Sequence, residues 1–223
     1  SLPFSKKWDT RLKEETDMLF DILCLVSLLV VILNLRRLVN IFPSLMACII
    51  RWKESVNLEA SVKLSRDRDF ITLAMIVPFC LTTVRFDLYA PAFMSGMDEN
   101  PEIWTILSIF SIYLLFRFAV SRLFHPQKIG SKTLSTAAKS SNTFFIILTL
   151  ILLAMGGIMT FTGVDDKTIK LAMLWVSMAI YAIHIIRKIQ IFNSSCSIFT
   201  AFLYLCALEI IPTGTLVVSA LIF

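Results

Sequence analysis

The chain has 223 residues, of which 57% are hydrophobic and only 17% are charged, and its mean hydropathy is +0.79. Ordinary soluble domains carry about a quarter of charged residues. The composition therefore excludes an ordinary soluble globular domain, a disordered tail, a fibrous repeat and a disulfide scaffold. The formal net charge of +5 is explained by cytoplasmic cations that face anionic lipid headgroups, so we infer no nucleic-acid partner.

Six apolar runs are each long enough to cross about 30 Å of hydrocarbon as a helix. Backbone groups in lipid must find hydrogen bonds inside the protein, which favours helices over strands for such runs. The sequence thus predicts an all-α polytopic membrane bundle, with an N-terminal tail (1–17) followed by a single transmembrane domain (18–223). The six predicted spans are 18–35, 70–90, 103–124, 142–161, 169–186 and 197–223.

A further apolar stretch, residues 38–50, is too short to span a membrane and contains Pro43. We expect a short interfacial or re-entrant segment here, or a bent continuation of the first helix. Residues 125–141 are rich in Lys, Ser and Thr and contain a Gly, which predicts a flexible loop.

The distribution of Lys and Arg predicts the orientation of the chain. The connections 36–69, 125–141 and 187–196 carry twelve of these cations, whereas the other side carries five even when the N-terminal tail is included. The three basic connections are therefore predicted to be cytoplasmic loops, with both termini outside.

Most signatures of catalysis and of metal binding are missing from the sequence. It contains no P-loop, dinucleotide-binding, zinc-protease or nucleophile-elbow motif. The two histidines are too few for a histidine-rich metal site, and the five cysteines include no CxxC pair. We therefore assign no catalytic residue, no metal and no cofactor. Membrane lipids are the expected partners, together with a possible contact to another membrane protein.

Ionisable residues deep in the predicted spans are the strongest functional signal, because buried charges in lipid are costly and usually face a partner. The candidate polar cluster consists of Arg85, Tyr113, Arg117 and Glu209, and Pro212 is expected to kink the helix beside Glu209. Glu209 is predicted to lie near mid-bilayer, about 18 Å from the cytoplasmic end of its span. We expect it to pair with Arg85 or Arg117, and axial offsets favour Arg85.

The C-terminal string FLYLCALEIIP, residues 202–212, resembles the terminal signature of the domain of unknown function family 4271, whose pattern is similar to LYLC-x-LE-I-x-P. Arg85 and the Tyr113…Arg117 pair also resemble family positions. The resemblance covers most of the chain. It implies a multi-pass inner-membrane protein of Bacteroidetes-type bacteria, in a family with no established activity.

Three functional hypotheses follow from the buried ions. The first is a transport or envelope-biogenesis component in which the Arg/Glu cluster lines a cavity or docks a partner helix. The second is an intramembrane enzyme that uses Glu209 as an acid or base on a lipid-phase substrate. The third is a purely structural membrane assembly factor, in which the ions only hold helices together.

Overall fold

The computed structural model describes residues 3–89, 99–123, 131–193, 202 and 205–222, and no strand occurs in these ranges. The predicted all-α class is confirmed for this part of the chain. In chain order the elements are α1 (Pro3–Ile50), α2 (Trp52–Ala60), α3 (Val62–Ala74), α4 (Ile76–Arg85), α5 (Glu99–Leu123), α6 (Ser131–Phe161), α7 (Asp166–Asn193), a π-helical turn (Cys206–Ile210) and α8 (Ile211–Ile222).

Four helices in the described ranges are long and apolar enough to cross a membrane, namely Asp21–Ile50, Glu102–Ala119, Thr133–Phe161 and Asp166–Asn193. Their outward faces expose large apolar side chains such as Leu33 and Leu115, which are 72% and 68% exposed. Exposed apolar faces of this size indicate a lipid environment. A helical membrane protein is thus supported, whereas the count of six spans stays a prediction.

The predicted span 70–90 is divided between α3 and α4. Met75 separates the two helices with φ −85° and ψ −6°. Pro78 lies four residues after Ala74, and a proline both lacks the N–H for the carbonyl at that spacing and clashes with it. The regular hydrogen-bond pattern is interrupted at Met75 for this reason, and α4 ends at Arg85 rather than at residue 90.

Residues 38–50 form the last turns of α1 and so continue the first helix, which is one of the alternatives predicted from the sequence. Leu38, Ile41, Leu45 and Cys48 recur every three or four positions and are buried in the main core, against residues of α2, α3 and α6. A stretch that faces other helices on one side in this way is an integral part of the bundle.

The three predicted loops are likewise largely helical. Residues 52–69 belong to α2 and the start of α3, residues 131–141 open α6, and residues 187–193 close α7. Only residues 125–130 and 194–196 of these loops lie outside the described ranges. The reason is that Lys and Arg are compatible with helices, so a charged composition alone does not predict a loop.

Helices α6 and α7 form an antiparallel hairpin that positions the candidate site. Gly163 has φ +70° in the turn between them, where its N–H bonds to the carbonyl of Thr160 at 3.1 Å. Glycine suits this position because a left-handed residue after a helix carries no side-chain penalty. Near this turn, Leu152 packs with Ile169 and Met173 in an apolar core.

Candidate functional site

Glu209 lies in the π-helical turn and is only 4% exposed. Pro212 follows three residues later and cannot donate the N–H that would bond to the carbonyl of Leu208. The helix widens at this point, and the N–H of Ile211 bonds instead to the carbonyl of Cys206, five residues back. The expected effect of Pro212 thus takes the form of a π turn, a feature that often occurs at functional sites.

Two cations from different helices contact the Glu209 carboxylate. Arg117 of α5 lies with Nη2 at 2.5 Å from Oε1, and Lys188 of α7 donates to the same oxygen. Lys188 is itself only 3% exposed. His184 of α7 lies with Nε2 at 3.9 Å from the other carboxylate oxygen. The carboxylate is therefore a shared counter-ion for two fixed positive charges.

A hydroxyl of α6 extends this network to a third long helix. Arg117 also donates to the Ser141 hydroxyl, and Ser141 lies 3.4 Å from Nε2 of His184. Tyr181 donates to the backbone carbonyl of Glu209 at 3.2 Å. We call Arg117, Ser141, His184, Lys188 and Glu209 the Glu209 cluster. It connects α5, α6, α7 and the π turn through charged and polar contacts.

The structure brings Tyr113, Arg117 and Glu209 into one region, as predicted from the sequence. Tyr113 lies one helical turn before Arg117, and its hydroxyl is 3.3 Å from that of Thr213 in α8. The tyrosine thus contacts the helix that follows the π turn rather than the carboxylate itself.

Arg85 lies elsewhere, so the preference for an Arg85–Glu209 pair is corrected in favour of Arg117. Arg85 ends α4, is exposed and lines a separate cavity of about 540 Å³ beside Gly156 and Phe161. Ser141, which belongs to the Glu209 cluster, precedes Gly156 by 15 residues, or about 22 Å along α6. The preference for Arg85 over Arg117 was based on axial offsets between upright helices with the predicted ends. In the structure α4 ends at Arg85, and the last helix contains the π turn.

The position of the Glu209 cluster along the bundle follows from its distance to the α6–α7 turn. Ser141 lies 20 residues before Phe161, and His184 lies 18 residues after Asp166. At 1.5 Å per residue, both are about 27–30 Å from the α6–α7 turn, which is close to one hydrocarbon thickness. If that turn lies at one membrane surface, the Glu209 cluster lies near the opposite surface rather than at mid-bilayer.

Sequence analysis missed Lys188 and His184 as partners of Glu209. Lys188 was assigned to a loop, and His184 was regarded as an interfacial residue. A usable signal was present, because Tyr181, His184 and Lys188 are spaced at i, i+3 and i+7 and so share one face of a helix. All three contact Glu209 in the structure.

A second set of ion pairs lies beside the first. Arg68, 1% exposed, pairs with Glu59 at 3.0 Å and with Asp69 at 2.8 Å. Lys139 of α6 also pairs with Glu59, and Asn142 donates to Asp69 at 3.1 Å. These residues form the Arg68 cluster, which attaches α2 and α3 to the first turns of α6. The four charged residues lie in segments that the sequence predicts as loops, so they were not among the candidate site residues.

A cavity of about 360 Å³ lies between the two clusters. Its charged lining consists of three cations and two carboxylates, Arg117, Lys139, Lys188, Asp69 and Glu209. The rest is mainly apolar and includes Leu114 and Phe118 of α5, of which Phe118 is 58% exposed. The cavity therefore adjoins the lipid-facing side of α5 and carries an excess of one positive charge.

The cluster offers little for a metal ion. Among the described residues, no three His, Cys, Asp or Glu side chains converge into a set of potential ligands. Cys48, Cys80 and Cys206 are free thiols, and Cys196 lies outside the described ranges.

Comparison with known proteins gives one match. A family model described as "Domain of unknown function (DUF4271)" matches residues 19–218. Neither the curated proteins nor the solved structures gave a significant match. The matched range contains α2 to α7 and the π turn, and hence all the residues of both clusters. On this match over most of its length, the chain belongs to the DUF4271 family.

Proposed function

We propose that this protein is a transport or envelope-biogenesis component of a bacterial inner membrane, in which the Glu209 cluster forms one wall of a substrate-binding cavity. The observation that carries the proposal is the 360 Å³ cavity directly against buried Lys188 and Glu209. Ligand sites in proteins are typically concave spaces of about 300–1,000 Å³ with a few charged groups in a mainly apolar lining. Ion pairs that only join helices need no such space beside them.

The acid–base hypothesis is less favoured by the same geometry. Arg117 and Lys188 both contact Oε1 of Glu209. This arrangement gives the carboxylate the role of a counter-ion, whereas a general acid or base needs an oxygen directed at a reacting group. A purely structural assembly factor is the remaining alternative, and the experiment below separates it from the proposal.

The decisive experiment removes the charges of the cluster while it keeps the fold. In Lys188→Met/Glu209→Gln one positive and one negative charge disappear together, and Arg117 keeps its contact with Ser141. We expect the double variant to remain folded in the membrane but to fail to replace the natural protein in a deletion strain of the source organism. Growth and detergent sensitivity are measured, with membrane abundance determined by immunoblot.

A matched control is Lys167→Met/Asp166→Asn, which removes an equal pair of exposed charges at the α6–α7 turn. The control should replace the natural protein fully. Full replacement by the cluster variant as well would contradict the proposal and support the assembly factor.

The proposed orientation places the Glu209 cluster at the cytoplasmic surface, because the basic connections favour that side. Single cysteines introduced at Ser131 and Asp165, in a cysteine-free background, should react with a membrane-impermeant maleimide from opposite sides. Labelling of both positions from one side would contradict the α6–α7 hairpin as a pair of spans.

A further inference from the structure

The cavity between the Glu209 and Arg68 clusters combines two kinds of lining. Arg117, Lys139 and Lys188 supply charged donors. Leu114, Phe118, Phe192 and Leu205 supply apolar surface. A site that combines cations with an apolar wall suits an amphiphile whose anionic group enters while its hydrocarbon remains in the membrane.

The charge balance of the cavity favours an anion over a cation. The Asp69 carboxylate already accepts from Arg68 and Asn142, so its charge is largely matched outside the cavity. Lys139 is matched in the same way by Glu59, so Glu209 remains as one carboxylate against the two cations Arg117 and Lys188. Arg and Lys are the usual binders of phosphate, Arg through its planar fork and Lys as a point charge.

The contacts of Glu209 resemble those expected of a bound anion. Its Oε1 accepts from both Arg117 and Lys188, which approach from different helices. A phosphate oxygen placed there would find the same two donors, with Lys139 on the cavity wall for a further oxygen. One carboxylate oxygen of Glu209 thus occupies the position that an oxygen of a bound anion would take.

The depth of the cavity agrees with this chemistry. Ser141 and His184, which contact each other and belong to the Glu209 cluster, lie about one hydrocarbon thickness from the α6–α7 turn. Lipid headgroups and their phosphates lie at that level. The exposed Phe118 lines the cavity from the lipid-facing side of α5, so an amphiphile can reach it from the membrane without crossing the bundle.

We propose that the cavity binds a phosphate group carried by a membrane amphiphile, and that the phosphate replaces the Glu209 carboxylate on Arg117 and Lys188. This inference rests on the proposed function, since it names the substrate class of the same cavity. The volume of about 360 Å³ accommodates a headgroup and leaves the acyl chains outside.

Phosphatidic acid and diacylglycerol test the proposal, because they differ only in the phosphate. The full chain is purified in a maltoside detergent, and binding of each lipid is followed by native mass spectrometry. We expect saturable binding of phosphatidic acid at least about tenfold tighter than that of diacylglycerol, as charge-assisted hydrogen bonds predict. Inorganic phosphate is the third arm. Competition by inorganic phosphate would support phosphate recognition. Binding of inorganic phosphate without a preference for phosphatidic acid over diacylglycerol would overturn the proposal that the ligand is a membrane amphiphile.

Leu114→Trp fills the cavity without a change of charge, and Leu115→Trp is its matched control. Leu115 is the next residue, is 68% exposed and does not line the cavity. We expect Leu114→Trp to weaken phosphatidic acid binding about tenfold, the effect of losing one or two charge-assisted contacts, while Leu115→Trp leaves it unchanged. Equal binding by both variants would overturn the assignment of the cavity.

Glu209→Gln distinguishes replacement of the carboxylate from simple addition of a ligand. Removal of the competing charge should tighten phosphatidic acid binding by about tenfold and make thermal stability strongly dependent on that lipid. Weaker binding by this variant would overturn the replacement step. Should the variant fail to fold, the Leu114 and Leu115 pair decides the proposal. Loss of cellular function in Lys188→Met/Glu209→Gln without any lipid preference would reject the phosphate and retain the proposed function.

Discussion

Helix α6 meets charged groups along its first turns and mainly apolar side chains along its last. Near its start, Lys139, Ser141 and Asn142 bond to groups on α2, α3, α5 and α7. Near its end, Leu152 and Gly156 face an apolar core with Met173 and Phe86. We call these regions the polar end and the apolar end of the bundle.

The difference shows which kind of change each end tolerates. At the polar end, removal of one partner leaves a buried charge behind, and the cost exceeds the value of the lost contact. At the apolar end, the cost follows the volume that is added or removed. A binding site that exchanges partners fits the polar end, because its groups are held by contacts that another charged group can replace.

The largest effect is expected for Glu209→Gln, which leaves Arg117 and Lys188 facing each other without a counter-ion. Breaking a buried pair by removal of one partner typically costs about 3–5 kcal/mol. Thermal unfolding in detergent measures the loss. Lys188→Met/Glu209→Gln should recover part of it, because two of the three charges are then gone. Additive losses in the double variant would contradict the coupling.

A charge reversal is not expected to restore the stability of this site. An exchange of Arg117 and Glu209 would place the new arginine against Lys188, which is buried and already contacts the carboxylate. We therefore expect Arg117→Glu/Glu209→Arg to stay less stable than the natural protein. Comparison of its thermal unfolding with that of Lys188→Met/Glu209→Gln separates the effect of charge repulsion from the effect of losing an ion pair.

A smaller loss is expected for Arg187→Ala at the polar end. Arg187 donates from Nε to the carbonyl of Ile49 at 2.9 Å and from Nη2 to that of Ile50 at 2.8 Å. Hydrogen bonds that involve a charged group contribute about 1.5–3 kcal/mol, and partial exposure reduces this to about 1–2 kcal/mol. Unfolding in detergent measures the effect, with Arg51→Ala as a nearby exposed control that should change stability little.

At the apolar end, Gly156→Ala and Gly157→Ala form a matched pair. A Cβ at Gly156 would lie 2.9 Å from the ring of Phe86 and 3.0 Å from Cε of Met173, whereas one at Gly157 meets nothing within 4 Å. Overpacking costs about 1–3 kcal/mol, and we expect the low end because the Met173 terminus can move. Gly157→Ala should be neutral or stabilise by up to about 1 kcal/mol. Equal effects of the two changes would contradict the contact with Phe86.

The smallest predicted effect separates two neighbouring serines. Ser141 bonds to Arg117 and lies beside His184, whereas the buried Ser140 hydroxyl has no hydrogen-bond partner among the described residues. Ser141→Ala should cost about 1 kcal/mol, the typical net value of one hydrogen bond. Ser140→Ala should be neutral or slightly stabilising. Unfolding in detergent measures both, and a larger loss at Ser140 would contradict the network.

The sequence predicted the features that depend on local patterns. The helical class, the apolar runs of α1, α5, α6 and α7, and the pairing of Glu209 with a basic residue all follow from hydropathy and from the cost of a lone buried charge. The break at Pro212 was predicted as well, although its form as a π turn depends on how the neighbouring helices hold Glu209.

The features that depend on distant contacts were not predictable in the same way. Residues 38–50 are too short to span a membrane, but they continue α1 because α2, α3 and α6 bury one of their faces. Lys188 was assigned to a loop because a cation beyond an apolar run usually marks its end. Here Glu209 neutralises it, and α7 continues to Asn193.

Two consecutive residues of α7 contact parts of the chain that are far apart in sequence, the end of α1 and the π turn. Arg187 closes the last carbonyls of α1, 138 and 137 positions earlier, and Lys188 holds Glu209, 21 positions later. During synthesis from the N-terminus, α1 therefore keeps open carbonyls until α7 has been inserted, and α7 keeps a lone buried cation until the π turn arrives. We expect the bundle to acquire its final polar end only after the last segment is in the membrane, so that a chain truncated before Glu209 should be a substrate for membrane proteases.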